Sequence, residues 1–222
     1  MSPMWSWCHD TVAGTRAMRL GWALMVGLGL ATPATAQGVL DQWSTITAPL
    51  DKPTASRVSL DPTTTALLVL DLANQTCDPQ RLPRCPAMAQ HVQPLLAHAR
   101  EKKWVVIYTL GAASKTADIL PAVAKLEAEP EVTGPPDKFV GTGLEGLLKD
   151  RGIKTVVTIG SAAEGAVMET AASAVFRGFD VVVPVDGMVS GTLYNEQYVA
   201  WNLSHAPRLP ERLKLSAVGL ID

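Results

Sequence analysis

Residues 155–170, TVVTIGSAAEGAVMET, run from a β-branched strand through a turn of small residues directly into a helix. The apolar Val, Thr and Ile run bounded by Gly160 predicts a buried parallel strand, and the Ala-rich segment to Arg177 predicts the helix that follows it. Such turns lie at the carboxyl end of the sheet, where open α/β proteins bind ligands. Backbone N–H groups freed at the helix start can hold an anion or a developing oxyanion. The turn closes on Ala166, where a nucleophile would be expected. A plain packing turn is the competing reading.

Working outward, the same alternation recurs. Ala66–Leu72 reads as a strand, Ala87–Lys103 as a helix, Trp104–Leu110 as a strand and Thr116–Glu129 as a helix. The loop EVTGPPDKFVGTG follows, then a helix Leu144–Asp150, the strand and helix of the quoted stretch, a strand Phe179–Val185 and a helix Asn195–His205. Leu213–Val218 reads as a last edge strand. Strands alternating with helices imply an α/β fold with a mostly parallel sheet covered by helices on both faces. One domain, 65–222, accounts for this pattern, preceded by an extended Thr-, Ser- and Pro-rich lead-in over 37–64.

The first 36 residues read as an export signal. Arg16 and Arg19 precede an apolar run Leu20–Leu30, and Ala34-Thr35-Ala36 forms a cleavage site before Gln37. The run is short for a bilayer span, so removal is favoured over anchoring and no membrane contact is expected afterwards. Periplasmic or secreted localisation follows. The formal net charge of −2 gives no cause to expect nucleic acid or an anionic membrane surface as partner. Cleavage would remove Cys8 and leave Cys77 and Cys85 around a Pro-rich loop. In an oxidising compartment these read as a loop-closing disulfide, with two free thiols as the alternative.

Asp71 ends the first strand in LLVLDLANQ. A carboxyl at the carboxyl edge of an apolar strand is placed to give or take a proton, or simply to cap the loop or pair with a lysine.

Together LLVLDLANQ, TVVTIG, GSAAEGAV with MET and AxxAxxRGF, and the late VVVPVDGM resemble the isochorismatase-like, or cysteine hydrolase, superfamily from about Thr65 onward. The resemblance implies a three-layer Rossmann-like fold around a six-stranded sheet. It implies a small-molecule substrate or ligand, no cofactor, and homo-oligomers as in many members.

Amidases of that superfamily carry an Asp, a Lys and a Cys. The likeness places Asp71 on the Asp and Ala166 on the Cys column; a methyl group cannot form a thioester. The lysine column falls near Glu131, Val132 and Thr133, but the nearest lysine is Lys138, one residue before Phe139. It is a site lysine if the loop is shaped for it, and a solvated loop residue otherwise. The likeness also implies a cis Ser161–Ala162 peptide and an oxyanion hole from the Ala162 and Ala166 N–H groups. Glu164 in the same turn is either a second acid or base or a solvent-facing carboxylate at a helix start. Ser161 is a conceivable nucleophile, though no histidine is placed to activate it.

The superfamily's metal site has its Asp and two His after the second strand; here TLGAASKTAD holds no histidine, and His91, His98 and His205 show no ligand spacing, so no metal is expected.

True isochorismatases also lack the cysteine and use the aspartate to protonate a vinyl ether so that water can add. Likeness to them implies a hydrolase without a covalent intermediate, with Asp71 as acid or base. Two alternatives stay open: a binding protein that has lost the chemistry, and an Ala166 that replaces a native cysteine.

Overall fold

In a computed structural model, residues 51–222 and Val39 are described. The export-signal reading and most of residues 37–50 lie outside them.

The domain opens on β1, Thr65–Leu70, whose six residues are all buried. It pairs in parallel with β2, Val105–Leu110, on one side and β4, Thr155–Ser161, on the other. Beyond β2 lies the short β3, Glu131–Thr133; beyond β4 come β5, Asp180–Pro184, and the edge strand β7, Leu213–Ser216. The order is β3-β2-β1-β4-β5-β7, parallel throughout. A two-residue β6, Met188–Val189, pairs with the end of β4, and with β3 it brings the sheet to seven strands, where the residue patterns placed five and the resemblance implied six.

Helices cover both faces, and the alternation within each strand shows how. Ala66, Leu68 and Leu70 of β1 pack with α3 (Leu144–Lys149), α4 (Met168–Phe176) and α5 (Leu193–His205). Leu67 and Val69 point the other way, into a core shared with α1 (Cys85–His91) and α2 (Gln93–Glu101). Successive strand residues face opposite sides, so each apolar residue of a central strand finds a helix.

Two predicted helices need correction. The expected helix Ala87–Lys103 is broken at Val92 into α1 and α2, because Pro94 in the first turn of α2 has no N–H to continue the ladder from α1. The expected helix Thr116–Glu129 does not form. Pro121 forces Leu120 out of the helical region, to ψ 135°, leaving two single turns at Thr116–Asp118 and Pro121–Val123. The chain after them supplies β3 from what the sequence assigned to a loop.

The lead-in runs beside the C-terminus in the described residues. Val58 N–H donates to Leu220 O at 2.9 Å, and Asp222 N–H donates back to Val58 O at 3.0 Å.

Candidate active site

The carboxyl ends of β1, β2 and β4 converge on one place. Asp71 follows β1 directly, with its N–H on Thr109 O at 3.1 Å and a left-handed φ of 54°. Aspartate tolerates that region better than most residues, yet it is still held there at a cost. Its side chain is buried: Oδ1 accepts from Thr109 Oγ1 at 2.8 Å, and Oδ2 lies 2.7 Å from Lys138 Nζ.

Lys138 is fully buried, and its ammonium also reaches Gly134 O at 3.1 Å and Leu110 O at 3.5 Å. Its three donors therefore have three acceptors, which is the condition for a buried cation. The solvated-loop alternative does not describe this residue. The loop shape is set from α4: Thr170 Oγ1 accepts from Lys138 N–H at 3.2 Å and donates to Pro136 O at 3.1 Å. Ser173 Oγ donates to Asp137 Oδ2 at 2.7 Å, while Asp137 Oδ1 accepts from Phe139 N–H at 2.9 Å. The Phe139 ring packs beside Phe179 and under the Arg177 guanidinium, 4.7 Å from its centroid.

The third wall is the quoted turn. At Gly160, φ is 145° and a Cβ would stand 2.0 Å from Leu70 O, so only glycine lets β4 approach β1 there. The Ser161–Ala162 peptide is cis. From Ala163 to Val167 the chain makes one wide, π-type helical turn, and Val167 N–H donates to Ala162 O at 3.3 Å. Ala166 is buried on it.

Glu164 is half-buried rather than fully solvent-facing. Its Oε1 accepts from Asn195 Nδ2 at 2.7 Å, and its Oε2 is buried with no hydrogen-bond partner among the described residues. Asn195 Nδ2 also donates to Ser190 Oγ at 3.1 Å. Arg84, just before α1, joins this region through Glu196, with Nη1 on Oε2 at 3.0 Å, and through Ser190 O at 3.1 Å.

Cys77 and Cys85 are joined as a disulfide, with Cα atoms 5.4 Å apart, in the loop between Asp71 and α1. Of the histidines, His91 pairs with Asp186 at 2.8 Å, His98 meets the edge of Trp104, and His205 stacks on Trp201. Among the described residues no group of three or more His, Cys, Asp or Glu could hold a metal ion.

Sequence reading missed Thr109, Asn195 and Ser190. Thr109 had a signal: it is a polar residue at the end of the buried run VVIYTL, and its strand neighbours the one that carries Asp71.

A family model described as Isochorismatase domain matches residues 65–208. Among solved structures, an isochorismatase family protein from Burkholderia thailandensis is 23% identical at a TM-score of 0.62, covering 75% of this chain and 97% of that one. A cysteine hydrolase from Pseudomonas syringae pv. phaseolicola is 17% identical at 0.65, covering 76% and 95%. A nicotinamidase from Staphylococcus aureus is 18% identical at 0.61, covering 69% and 98%. At these identities the likeness establishes the fold. No curated protein matches the sequence.

Proposed function

The chain belongs to the isochorismatase domain family, and on that premise we propose that it is a small-molecule hydrolase in which Asp71 moves the proton and no covalent enzyme intermediate forms. The observation that carries this reading is the buried contact between Asp71 Oδ2 and Lys138 Nζ at 2.7 Å, beside a turn whose expected nucleophile position is a methyl group.

Lys138 and Thr109 each hold one of the two carboxyl oxygens, and each oxygen keeps a lone pair for water or substrate. In hydrolysis of an amide or ester, the Asp71 carboxylate takes a proton from water as its oxygen bonds to the carbonyl carbon. The N–H groups of Ala162 and Ala166 receive the resulting oxyanion. Asp71 then returns the proton to the departing nitrogen or oxygen as that bond breaks, and the carboxylate is restored. With an enol ether the protonated carboxyl acts first, as acid, and water adds afterwards. Glu164, tied to Asn195, orients the turn.

We place the mature protein in the periplasm or outside the cell. The export-signal pattern supports this, as does the disulfide, because such bonds persist in oxidising compartments. No helix among the described residues is long and apolar enough to cross a membrane. A cytoplasmic metabolite is a poor candidate substrate for a protein so located.

The test is a panel of small amides, esters and enol ethers offered to the full chain and to Asp71→Asn. Consumption by the first and not the second supports the reading. Binding without consumption by either would make the protein a binding member of the fold and overturn it.

A further inference from the structure

We propose that Thr76, held by the Cys77–Cys85 disulfide, is the positioning residue that joins the two halves of the site, so that the hydrolase works at full rate only with the disulfide formed. The activity part rests on the hydrolase reading above.

Thr76 touches both walls. Its hydroxyl, with one hydrogen to give, lies within reach of Asp71 O and, at 3.0 Å, of Ala73 O, and it accepts from Ala73 N–H at 3.3 Å. Its own carbonyl accepts from Ser161 Oγ at 3.5 Å, in the turn that ends on Ala166. One residue thus braces the left-handed backbone of the acid and the residue that opens the oxyanion turn. A left-handed aspartate relaxes unless its surroundings hold it.

Residues 71–84 contain no helix or strand. Leu120 N–H donates to Leu72 O at 3.0 Å and Asn74 N–H to Asp118 O at 2.8 Å, and beyond these backbone contacts the adjacent Cys77 supplies the covalent anchor. Cys77 and Cys85 are both buried, and Cys85 begins α1, whose Met88 and Ala89 are packed in the core. The Arg84 contacts with Glu196 and Ser190 fasten the same end of the loop to the start of α5. Opening the disulfide takes two electrons. A dithiol such as dithiothreitol supplies them and leaves as its cyclic disulfide, while Cys77 and Cys85 become thiols. No other covalent bond changes, but Thr76 loses its tether to α1.

The test compares the full wild-type chain, Thr76→Ser, Thr76→Val, a Cys77→Ser/Cys85→Ser double variant and the combination of Thr76→Val with that double variant. Amide hydrogen exchange reads the site without any substrate, and kcat and KM are measured on whatever panel substrate is consumed. Thr76→Val and the double variant are expected to speed exchange at residues 71–77 and 160–165 by about tenfold or more, with β2 and β5 unchanged. Both are expected to lower kcat by about tenfold or more at constant KM, while Thr76→Ser retains wild-type values. The combined variant should lose little beyond either parent, since both changes release the same brace. Wild-type dithiothreitol treatment, followed by thiol counting, should reproduce the double variant. Unchanged exchange at 160–165, or losses that multiply in the combined variant, overturns the proposal. If the wild type consumes no substrate, the function reading fails and the exchange measurements alone decide this one.

Discussion

Lys138 Nζ and Asp71 Oδ2 lie 2.7 Å apart with side chains 1% and 9% exposed, so a cation and a carboxyl from separate loops share one nearly dry site. Removing either partner alone strands the other. Lys138→Met should therefore cost about 3–5 kcal/mol of unfolding free energy. Asp71→Asn/Lys138→Met should recover a large part of that loss, because no buried charge is left alone. Urea unfolding of Lys138→Met, Asp71→Asn and the double variant at neutral pH measures the coupling.

Gly160 makes a sharper stability prediction. A Cβ there meets backbone, Leu70 O at 2.0 Å, at a φ of 145°, so Gly160→Ala should destabilise by about 3 kcal/mol or more. Gly146 is the control: it lies within α3 with nothing within 4 Å of a built Cβ, and Gly146→Ala should stabilise by about 0.5–1 kcal/mol. Thermal melts of both proteins distinguish the sites.

Acid should loosen the outer support of the lysine loop. The Lys149 ammonium, and after it the Arg177 guanidinium, hold the Glu145 carboxyl below its ordinary range, against an opposing push from desolvation. A carboxyl depressed in the folded state stabilises it above the unfolded pKa, and that gain fades as pH falls through the folded value. The melting temperatures of wild type and Glu145→Gln should therefore differ by a constant amount from neutral pH down to about 5, then converge below the unfolded value near 4.5. A gap that persists at pH 2 would mean the contact acts through packing rather than charge.

The alanine of the turn can be made reactive. Ala166→Cys places a thiol beside the proposed oxyanion N–H groups, and the expected outcome is an acyl adduct visible in the intact mass after quenching with an activated ester or amide. Wild type quenched in the same way should keep its unmodified mass.

Much of this fold was legible because its central strands are runs such as ALLVL and TVVTIG, too apolar and β-branched to read otherwise. Thr116–Glu129 misled because its apolar spacing suits a helix, although Pro121 carried the contrary signal. The two residues of β6 are too few to show any period, and they exist as a strand only because the end of β4 offers them a partner. At the site, Asp71 could be found from its place after a strand. Lys138 could be named but not placed, since its approach to Asp71 depends on Thr170 and Ser173 shaping the loop from another element. Thr76 and Asn195 act through contacts made by folding alone, and no local pattern marks them.

Whether Asp71 moves the proton is read most directly from single-turnover rates of wild type and Asp71→Asn on one consumed substrate, with folding of both checked by melting. The account predicts a loss of about 10²–10⁴-fold in the chemical step with substrate binding preserved. An Asp71→Asn protein that turns over at the wild-type rate would contradict it.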